Sequence, residues 1–332
     1  MTRITTCLAV LALTLVPPAS AQDNSDLEQG DFNKGGRTAF QFLKIGVGAR
    51  QAALGEASVA TVRDVNAAFW NPAGISGMQG PEASFSYTKW IADTQYVGAA
   101  VGGRFGAATT VALSVAALDY GDIPEAVVGP ADGRTGSSVS GGNVMVGLHA
   151  ARTFTDRLSI GVGAKYVHES LADYGTGTFA LDVGTTYDIG ARGLQLAMSA
   201  QNFAGSVRWL DEDSADRQEG YDVPLVFRIG LAGTLAGADG FVGAPAGHSL
   251  TASAEAINTN DFSERLHLGL EYTIDDFVAL RGGYRLGYDE GQWSLGAGIN
   301  PEVGGVQMRI DYAYVGYSFL SAPQRLSVSF AL

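Results

Sequence analysis

Cysteine is almost absent from this chain, since its single cysteine lies close to the N-terminus. Cys7 falls inside a mostly apolar run, residues 4–16, which follows Arg3 and precedes the small residues at 19–21. This arrangement is typical of a secretory signal peptide, and no lipobox ends at Cys7, so we expect residues 1–21 to be removed without lipid anchoring. The exported chain would then fold without any disulfide.

Long apolar runs are also missing, because no later stretch reaches the 18 or so uninterrupted apolar residues of a transmembrane helix. Charged residues make up only 17% of the chain, and acidic residues outnumber basic ones to give a net charge of −13. Such a chain is a poor partner for nucleic acid and offers no basic patch to anionic lipid. Glycine, with 45 residues, and aromatic residues, at 10%, are abundant instead, which fits a β-rich protein.

From about residue 83 onward, apolar and polar residues alternate in segments that each end at a turn signal. In RLHLGLEYTI (265–274), Leu266, Leu268 and Leu270 share one face, whereas His267 lies on the other. Fourteen segments follow this pattern, at 83–89, 95–103, 107–118, 142–154, 158–170, 176–188, 193–203, 223–235, 248–258, 264–274, 276–288, 291–300, 304–316 and 323–332. An even number of strands long enough to cross a bilayer at a tilt is typical of an outer-membrane barrel.

The alternative fold is a secreted β-sandwich or a tandem of sandwiches. Sandwich strands are usually shorter, at about 5 or 6 residues, and their wet face carries more Lys, Glu and Thr. We therefore predict an all-β fold, a 14-stranded antiparallel transmembrane β-barrel over residues 81–332, in the outer membrane of a Gram-negative bacterium. With both termini periplasmic, the long connections 119–141 and 204–222 fall outside, and 236–247 is an exception on the periplasmic side.

An apolar face that meets lipid turns a set of charged residues into the lumen. An Arg or Lys on the lipid face would cost about 2–4 kcal/mol near the midplane, so the inward position is preferred. Both signs are present, and these residues can pair across strands, bind a plug or contact a solute. The predicted lumen network consists of Lys165, Asp182, Arg228, Glu255, Arg265, His267, Glu271, Arg281, Arg285, Arg309 and Asp311.

Residues 40–80 fit neither a clean strand nor an amphipathic helix, and they are rich in small residues that allow close packing. We predict that they form a hatch, or plug, inside the barrel, after a periplasmic lead at 22–39. Asn71 and Pro72 suit the N-cap and first position of a short helix. They would turn the chain from the hatch into the first wall strand, with Phe69 and Trp70 packed on the inner wall or at the rim.

The stretch 46–76, GVGARQAALGEASVATVRDVNAAFWNPAGIS, resembles the opening signature of the PorV/PorQ family of outer-membrane proteins. The residues in the signature positions are Gly48, Ala49, Arg50, Leu54, Gly55, Asp64, Trp70, Asn71, Pro72, Ala73 and Gly74. Leu54 stands where Met is commoner, and Glu56 replaces a small residue. The family is similar to the long-chain fatty-acid transporter FadL, a fourteen-stranded barrel with an N-terminal hatch. Beyond the N-terminal region, the resemblance is one of architecture only.

The resemblance implies two functions. PorV-like proteins are type IX secretion components that bind the C-terminal signal domain of secreted cargo and shuttle it to the attachment machinery, and we favour this function. The alternative is a FadL-like channel for uptake of hydrophobic small molecules, which needs an apolar groove among the outer loops and a movable hatch. Residues proposed for cargo or ligand contact are Ile123, Val127, Val128, Trp209, Leu210, Asp211, Asp213 and Tyr221.

Catalytic and metal-binding patterns are weak in this sequence. The four histidines fall on different predicted strands, and no nucleophile elbow is present. The acidic run at 211–216 is similar to a calcium-binding loop, but Asp216 stands where glycine is expected. We expect no enzymatic activity, no cofactor and no metal site. The expected partners are outer-membrane lipid, together with either secreted cargo and type IX translocon proteins or hydrophobic small molecules.

Overall fold

The computed structural model describes residues 38–126, 134–208, 220–238 and 240–332. The predicted signal peptide and most of the predicted lead lie outside these residues, so both stay predictions. The strands in chain order are β1 (Glu82–Lys89), β2 (Gln95–Arg104), β3 (Thr109–Asp119), β4 (Ile123–Ala126), β5 (Arg134–Val139), β6 (Gly141–Thr153), β7 (Leu158–Leu171), β8 (Tyr174–Asp188), β9 (Gln195–Phe203), β10 (Val226–Ala236), β11 (His248–Thr259), β12 (Phe262–Ile274), β13 (Val278–Leu286), β14 (Trp293–Ile299), β15 (Glu302–Val303), β16 (Val306–Val315) and β17 (Gln324–Ala331).

Fourteen of these strands form a closed antiparallel ring. The main sheet contains fifteen strands, of which β15 is only a two-residue extension beside β16. The ring closes where β1 pairs with β17, from Glu82 opposite Ala331 to Lys89 opposite Gln324. The predicted 14-stranded barrel is confirmed. The hairpin β4–β5 lies outside the ring, within a connection that the sequence pattern left without strands.

The two faces of the wall differ as the alternation predicts. On β12, Leu266, Leu268 and Leu270 are 40–50% exposed, whereas His267 between them is fully buried. Exposed Leu, Val, Ile, Phe and Tyr side chains cover the outer face of almost every wall strand. An apolar outer face over a polar inner face is the pattern of barrels that meet hydrocarbon. Among the described residues, no helix is long and apolar enough to cross a membrane.

The connections divide the barrel into two different ends. Those between β3 and β6 and between β9 and β10 are long and lie at the same end, which we call the loop end. The opposite, turn end carries mostly short connections, such as residues 275–277, and one longer connection at 237–247. This distribution agrees with the predicted one. Strand β10 begins at Val226, three residues later than predicted, because Pro224 has no N–H to donate to a β-ladder.

Residues 38–81 lie inside the ring and form a plug. The plug contains one short α-helix, α1 (Ala49–Ala53), and three 3-10 helices, Gln41–Lys44, Val65–Phe69 and Pro72–Gly77. Its largest side chains are completely removed from solvent, including Phe40, Phe42, Leu54, Trp70 and Ile75. The core of the molecule is therefore the interface between the plug and the inner wall.

The plug runs through the barrel from the loop end to the turn end. Thr38 pairs with Asp222 of the β9–β10 connection, and the Phe40 N–H donates to Glu169 at the loop end of β7 over 2.8 Å. At the turn end, the Leu332 N–H donates to the Pro81 carbonyl over 3.0 Å. Residues 38 and 39 of the predicted periplasmic lead therefore lie at the opposite end of the barrel from the C-terminal residue.

Candidate binding site inside the barrel

Inward-facing glycines of the wall receive the backbone of the plug. A Cβ atom at Gly283 of β13 would lie 1.9 Å from the Gly55 nitrogen, and one at Gly161 of β7 would lie 2.2 Å from the Ala73 nitrogen. Any side chain at these two wall positions would overlap plug backbone. The glycine content noted in the sequence therefore serves close contact between two backbones as well as turns.

The Asn71–Pro72 pair caps a helix and ties the plug to the wall. The Asn71 side-chain oxygen accepts from the Ala73 N–H over 3.1 Å, and Pro72 is the first residue of the 3-10 helix that follows. The Asn71 amide also donates to the Thr185 carbonyl of β8 over 3.1 Å and to the Val59 carbonyl over 3.3 Å. The predicted N-cap is confirmed, and the wall contact is an additional role of the same side chain.

Trp70 lies in the centre of the plug and not at the rim of the barrel. Its ring is 1% exposed, its indole N–H donates to the Val47 carbonyl over 3.0 Å, and Arg228 of β10 lies 5.0 Å above its face. Phe69 is partly buried beside the same cluster, and its carbonyl accepts from the Gln201 side chain of β9. Of the two predicted positions for this aromatic pair, the structure shows the inner wall.

Ion pairs join the plug to the wall along its length. They link Lys44 to Asp261 at 2.5 Å, Arg50 to Glu271 at 2.8 Å, Glu56 to Arg285 at 3.5 Å and to Arg325 at 3.4 Å, and Asp64 to Arg309. In addition, Glu255 of β11 accepts from the backbone N–H groups of Ser58 and Val59 over 2.8 and 2.7 Å. The signature residues Arg50 and Asp64 are thus anchors of the plug.

The structure places all eleven residues of the predicted lumen network on the inner side of the wall. Within the wall, the pairs are Lys165 with Asp182 at 2.8 Å, Arg228 with Glu255 at 2.6 Å, Arg281 with Glu271 at 2.5 Å and with Asp311 at 2.6 Å, and Arg309 with Asp311 at 3.2 Å. Two buried wall residues, His149 and Arg325, are absent from the prediction. Their strand alternation could have identified them, because Leu148 and Leu326 beside them face outward.

A cavity of about 360 Å³ lies between the upper plug and the wall near the loop end. Its apolar lining is formed by Phe42, Ile45, Trp90, Leu118, Val226 and Ile257. Its charged lining is formed by Lys44, Glu56, Arg228, Arg265 and Arg285. The lining is therefore partly apolar and partly charged, with more cations than anions, and it includes three arginines of the predicted network and one carboxylate of the plug.

Arg265 is held by aromatic rings. Its guanidinium carbon lies 4.2 Å from the ring centre of Phe262 and 4.2 Å from that of Tyr288. The Tyr288 hydroxyl is in turn 2.9 Å from the His267 Nε2 atom. Within the described parts of the chain, no carboxylate pairs with Arg265, whereas Arg228 and Arg285 each have one.

Glu56 is the single carboxylate among the residues that line the cavity. Burial acts to raise the pKa of Glu56, but the positive charges of Arg285 and Arg325 act in the other direction and lower it to about 2. The side chain is therefore charged at neutral pH. In the sequence this residue stands out only as a departure from the PorV/PorQ signature, because the plug has no regular periodicity that would predict an inward face.

The predicted contact residues in the outer loops are only partly described. Ile123 of β4 is 38% exposed and borders an apolar cleft with Val139, Leu171 and Tyr174. Tyr221 is exposed and pairs through its backbone with Val207. Val127, Val128, Trp209, Leu210, Asp211 and Asp213 lie outside the described residues, so the proposed groove stays a prediction.

One histidine–serine contact and the distribution of acidic residues bear on catalysis and metal binding. His149 lies 2.8 Å from the Ser114 hydroxyl, but both side chains are buried in the wall interior away from the cavity lining. Among the residues that the structure covers, no group of three or more His, Cys, Asp or Glu side chains is placed to hold a metal ion. The acidic run 211–216 lies outside them.

These features define the class of protein: a fourteen-stranded barrel with an internal plug and an apolar outer face. No family model matches the chain, and no curated protein matches it. Among solved structures, it is similar to the Pseudomonas putida toluene transporter TodX, at 12% identity and a TM-score of 0.58, over 86% of this chain and 98% of TodX. The monoaromatic hydrocarbon channel CymD matches at 12% identity and a TM-score of 0.56, over 88% and 97% of the two chains.

A FadL homologue of Pseudomonas aeruginosa matches similarly, at 12% identity and a TM-score of 0.53, over 86% of this chain and 97% of the homologue. At such identities the likeness concerns the fold, which is that of the FadL-like outer-membrane barrels. TodX is described as a toluene transporter and CymD as a monoaromatic hydrocarbon channel.

Proposed function

We propose that this chain is an outer-membrane channel for the uptake of hydrophobic small molecules. The observation that carries the proposal is the cavity at the loop end, which has an apolar lining inside a FadL-like barrel. Ligand sites of this kind are concave, mostly apolar and supplied with a few polar groups that fix orientation. The similar folds of a toluene transporter and a monoaromatic hydrocarbon channel support the same function.

In this proposal the apolar outer face meets hydrocarbon, the loop end faces outward and Leu332 lies on the periplasmic side. A ligand enters at the loop end and occupies the cavity between the upper plug and the wall. Because residues 38–81 fill the lumen below it, onward passage requires the plug to shift. The cavity is thus a binding site on the outer side of a closed barrier.

The type IX secretion function implied by the PorV/PorQ resemblance stays a prediction. The structural neighbours support the hydrophobic-molecule channel more than cargo docking. Six of the eight residues proposed for loop contact lie outside the described parts of the chain. We therefore place the channel first.

The proposal is tested by filling the cavity. Leu118 of β3 is 8% exposed and lines the cavity, whereas Leu113 on the same strand is 52% exposed on the outer face. We expect Leu118→Trp to lower uptake of radiolabelled toluene and decanol by about tenfold, or about 1.4 kcal/mol, and Leu113→Trp to leave it unchanged. Heat-modifiable migration of both variants would show that they assemble. Equal uptake by both assembled variants and the parent would refute the proposal.

A further inference from the structure

A groove of about 720 Å³ crosses the outer face of the wall between β9 and β14, and we call it the outer groove. Its floor is made of small outward-facing residues, which include Ala252 and Ala254 of β11 and Gly282 of β13. Ala254 lies directly between two larger side chains, Leu231 of β10 on one side and Leu268 of β12 on the other. The outer groove therefore exists because β11 presents alanines where both neighbouring strands present leucines.

The depth of the outer groove follows from its position along β11. Ala252 and Ala254 follow His248, the first residue of the strand at the turn end, by four and six residues. At about 3.3 Å per residue and a tilt of about 45°, they lie about 9–14 Å from the turn end. Half of a hydrocarbon core of about 30 Å is about 15 Å, so this part of the groove lies in the leaflet at the turn end.

A fixed cation stands where the outer groove opens at the turn end. Leu194, Leu235 and Phe241 line this opening. The guanidinium carbon of Arg192 lies 4.9 Å from the ring centre of Phe241, and the same group donates to the Gly240 carbonyl over 3.1 Å. Arg192 is exposed and has a φ of 56°, a left-handed conformation that is unfavourable for arginine. Its side chain is thus held beside an apolar opening without being buried.

A second arginine lies against the same turn. A Cβ atom at Gly190 would lie 2.8 Å from the guanidinium carbon of Arg157, and the Arg157 carbonyl accepts from the Asp188 N–H over 2.8 Å. The Asp188 carboxylate accepts from the Gly190 N–H over 2.7 Å. In the parts of the chain that the structure describes, no carboxylate forms an ion pair with Arg157 or Arg192. Two exposed cations therefore meet at one connection, between β8 and β9.

Charge is unevenly distributed around the turn end. Arg157 and Arg192 lie on the connections after β6 and β8, whereas Asp275, Asp276 and Glu302 lie on the connections after β12 and β14. The net charge of −13 does not predict a site for an anion, because it sums over residues that the fold places far apart. The cations are instead concentrated on the side where the outer groove opens.

We propose that the outer groove binds an acyl chain of an anionic glycerophospholipid, and that Arg192 and Arg157 hold its phosphate. A guanidinium group matches the geometry of a phosphate, and basic pockets at the membrane surface bind anionic lipid head groups. An apolar groove that opens beside exposed cations fits a molecule with an acyl chain and an anionic head group. This site is separate from the loop-end cavity, and it takes only the membrane orientation from the proposed function, in which the turn end faces the periplasmic leaflet.

The first experiment titrates the detergent-purified protein with lipid and counts bound molecules by native mass spectrometry. Phosphatidylglycerol and phosphatidylcholine with the same acyl chains both carry a phosphate, but only phosphatidylglycerol has a net negative charge. We expect the first phosphatidylglycerol molecule to bind about tenfold more tightly than the first phosphatidylcholine, and Arg192→Gln to abolish the difference. Equal affinities of the parent protein for the two lipids, or a preference that survives Arg192→Gln, would overturn the proposal.

A matched control tests whether the preference belongs to this site or to the whole turn end. Arg104 at the end of β2 is also exposed at the turn end, but it does not line the outer groove, and it donates to the Ala107 carbonyl over 2.9 Å. Arg104→Gln removes the same charge as Arg192→Gln and should keep the tenfold preference. Loss of the preference in both variants would show a general charge effect and overturn the site.

The second experiment fills the groove. Ala254→Phe places a ring on the floor and should weaken phosphatidylglycerol binding by about tenfold, because the acyl chain loses its place. Ala99 on β2 is likewise exposed on the outer face but lies outside the groove, so Ala99→Phe should leave binding unchanged. Heat-modifiable migration would show that both variants assemble. Equal phosphatidylglycerol affinities of the parent and Ala254→Phe would overturn the position of the acyl chain.

The same spectra test a second copy of this chain as the occupant of the groove. At one fixed lipid concentration, we expect a monomer with one bound phosphatidylglycerol in the parent protein and a lipid-free monomer in Ala254→Phe. A dimer that Ala254→Phe dissociates, and that phosphatidylglycerol leaves intact, would assign the groove to a second copy and overturn the proposal.

Discussion

The lower and the upper contacts of the plug differ in kind. In the lower part, plug backbone lies directly on a wall glycine, Gly161, and Glu271 pairs at 2.8 Å with Arg50 and at 2.5 Å with Arg281. In the upper part a cavity separates plug from wall, and the pairs of Glu56 are long. The lower region is close-packed and its charges are paired, whereas the upper region contains a cavity with a mainly cationic lining. The difference indicates that the lower part of the plug is held more firmly by the wall than the upper part.

The largest expected effect comes from disturbing a close backbone contact between the plug and the wall. Gly283→Val places a side chain where the Gly55 nitrogen lies 1.9 Å from the Cβ position, so it should destabilise the plugged barrel by more than about 3 kcal/mol. The adjacent Gly282 faces outward with Leu295 as its nearest neighbour at 3.7 Å, and Gly282→Val should be tolerated. Urea unfolding in detergent micelles or lipid vesicles compares the two variants. Similar stabilities would contradict the close backbone contact.

The wall is tested next, with a charge on its outer face. Leu268→Arg should cost about 2–4 kcal/mol and impair membrane assembly, because it puts a cation into the apolar belt. Phe319→Arg changes an apolar residue that is 92% exposed in the connection between β16 and β17, and it should assemble normally. The amount of each variant in the outer-membrane fraction is the measurement. Equal amounts would contradict the assignment of the outer face.

Acid should loosen the upper contacts of the plug. The pKa of Glu56 is about 2 in the folded protein and 4.5 for a free glutamate, so its pairing contributes stability above pH 4.5 that is lost as the pH falls toward 2. Labelling at a Ser58→Cys reporter with a pH-tolerant thiol reagent should rise over this range more steeply than in Glu56→Gln with the same reporter. An identical pH profile in the two proteins would contradict the role of Glu56 as a restraint.

The smallest expected effect concerns the helix cap. Asn71→Ala removes the cap on Ala73 and the contact with Thr185, with an expected loss of about 1–2 kcal/mol. Gln79→Ala removes one exposed local hydrogen bond to Gly77 and should be neutral. Thermal unfolding in detergent distinguishes these outcomes. Equal melting temperatures would contradict the double role of Asn71.

The fold could be predicted from the sequence because the wall obeys a simple rule. Alternation on β12 fixes which side chains face outward, and it does so independently of the neighbouring strands. The Asn71 cap is similarly local, since Asn71 and Pro72 alone determine it. The hairpin β4–β5 was missed because Pro124 and the polar residues at 134–138 lack an alternating apolar face.

Only some residues of the candidate site could be predicted from the sequence. Alternation brought Arg228, Arg265 and Arg285 to the inner face, but their common cavity depends on which parts of the lumen the plug leaves empty. The position of Glu56 follows from an irregular turn with left-handed residues, which no periodic pattern encodes. The sequence therefore predicts which wall residues face the site, whereas the shape of the cavity and the position of Glu56 depend on the path of the plug.

The most direct test of the proposed function is whether a hydrophobic molecule occupies the cavity. Trp90 lines it, so a brominated decanol bound there should quench Trp90 fluorescence. We predict saturable quenching in the parent protein that is lost in Trp90→Phe, while quenching of the exposed Trp293 on the outer face remains in both. Quenching that does not saturate, or that is the same in Trp90→Phe, would contradict it.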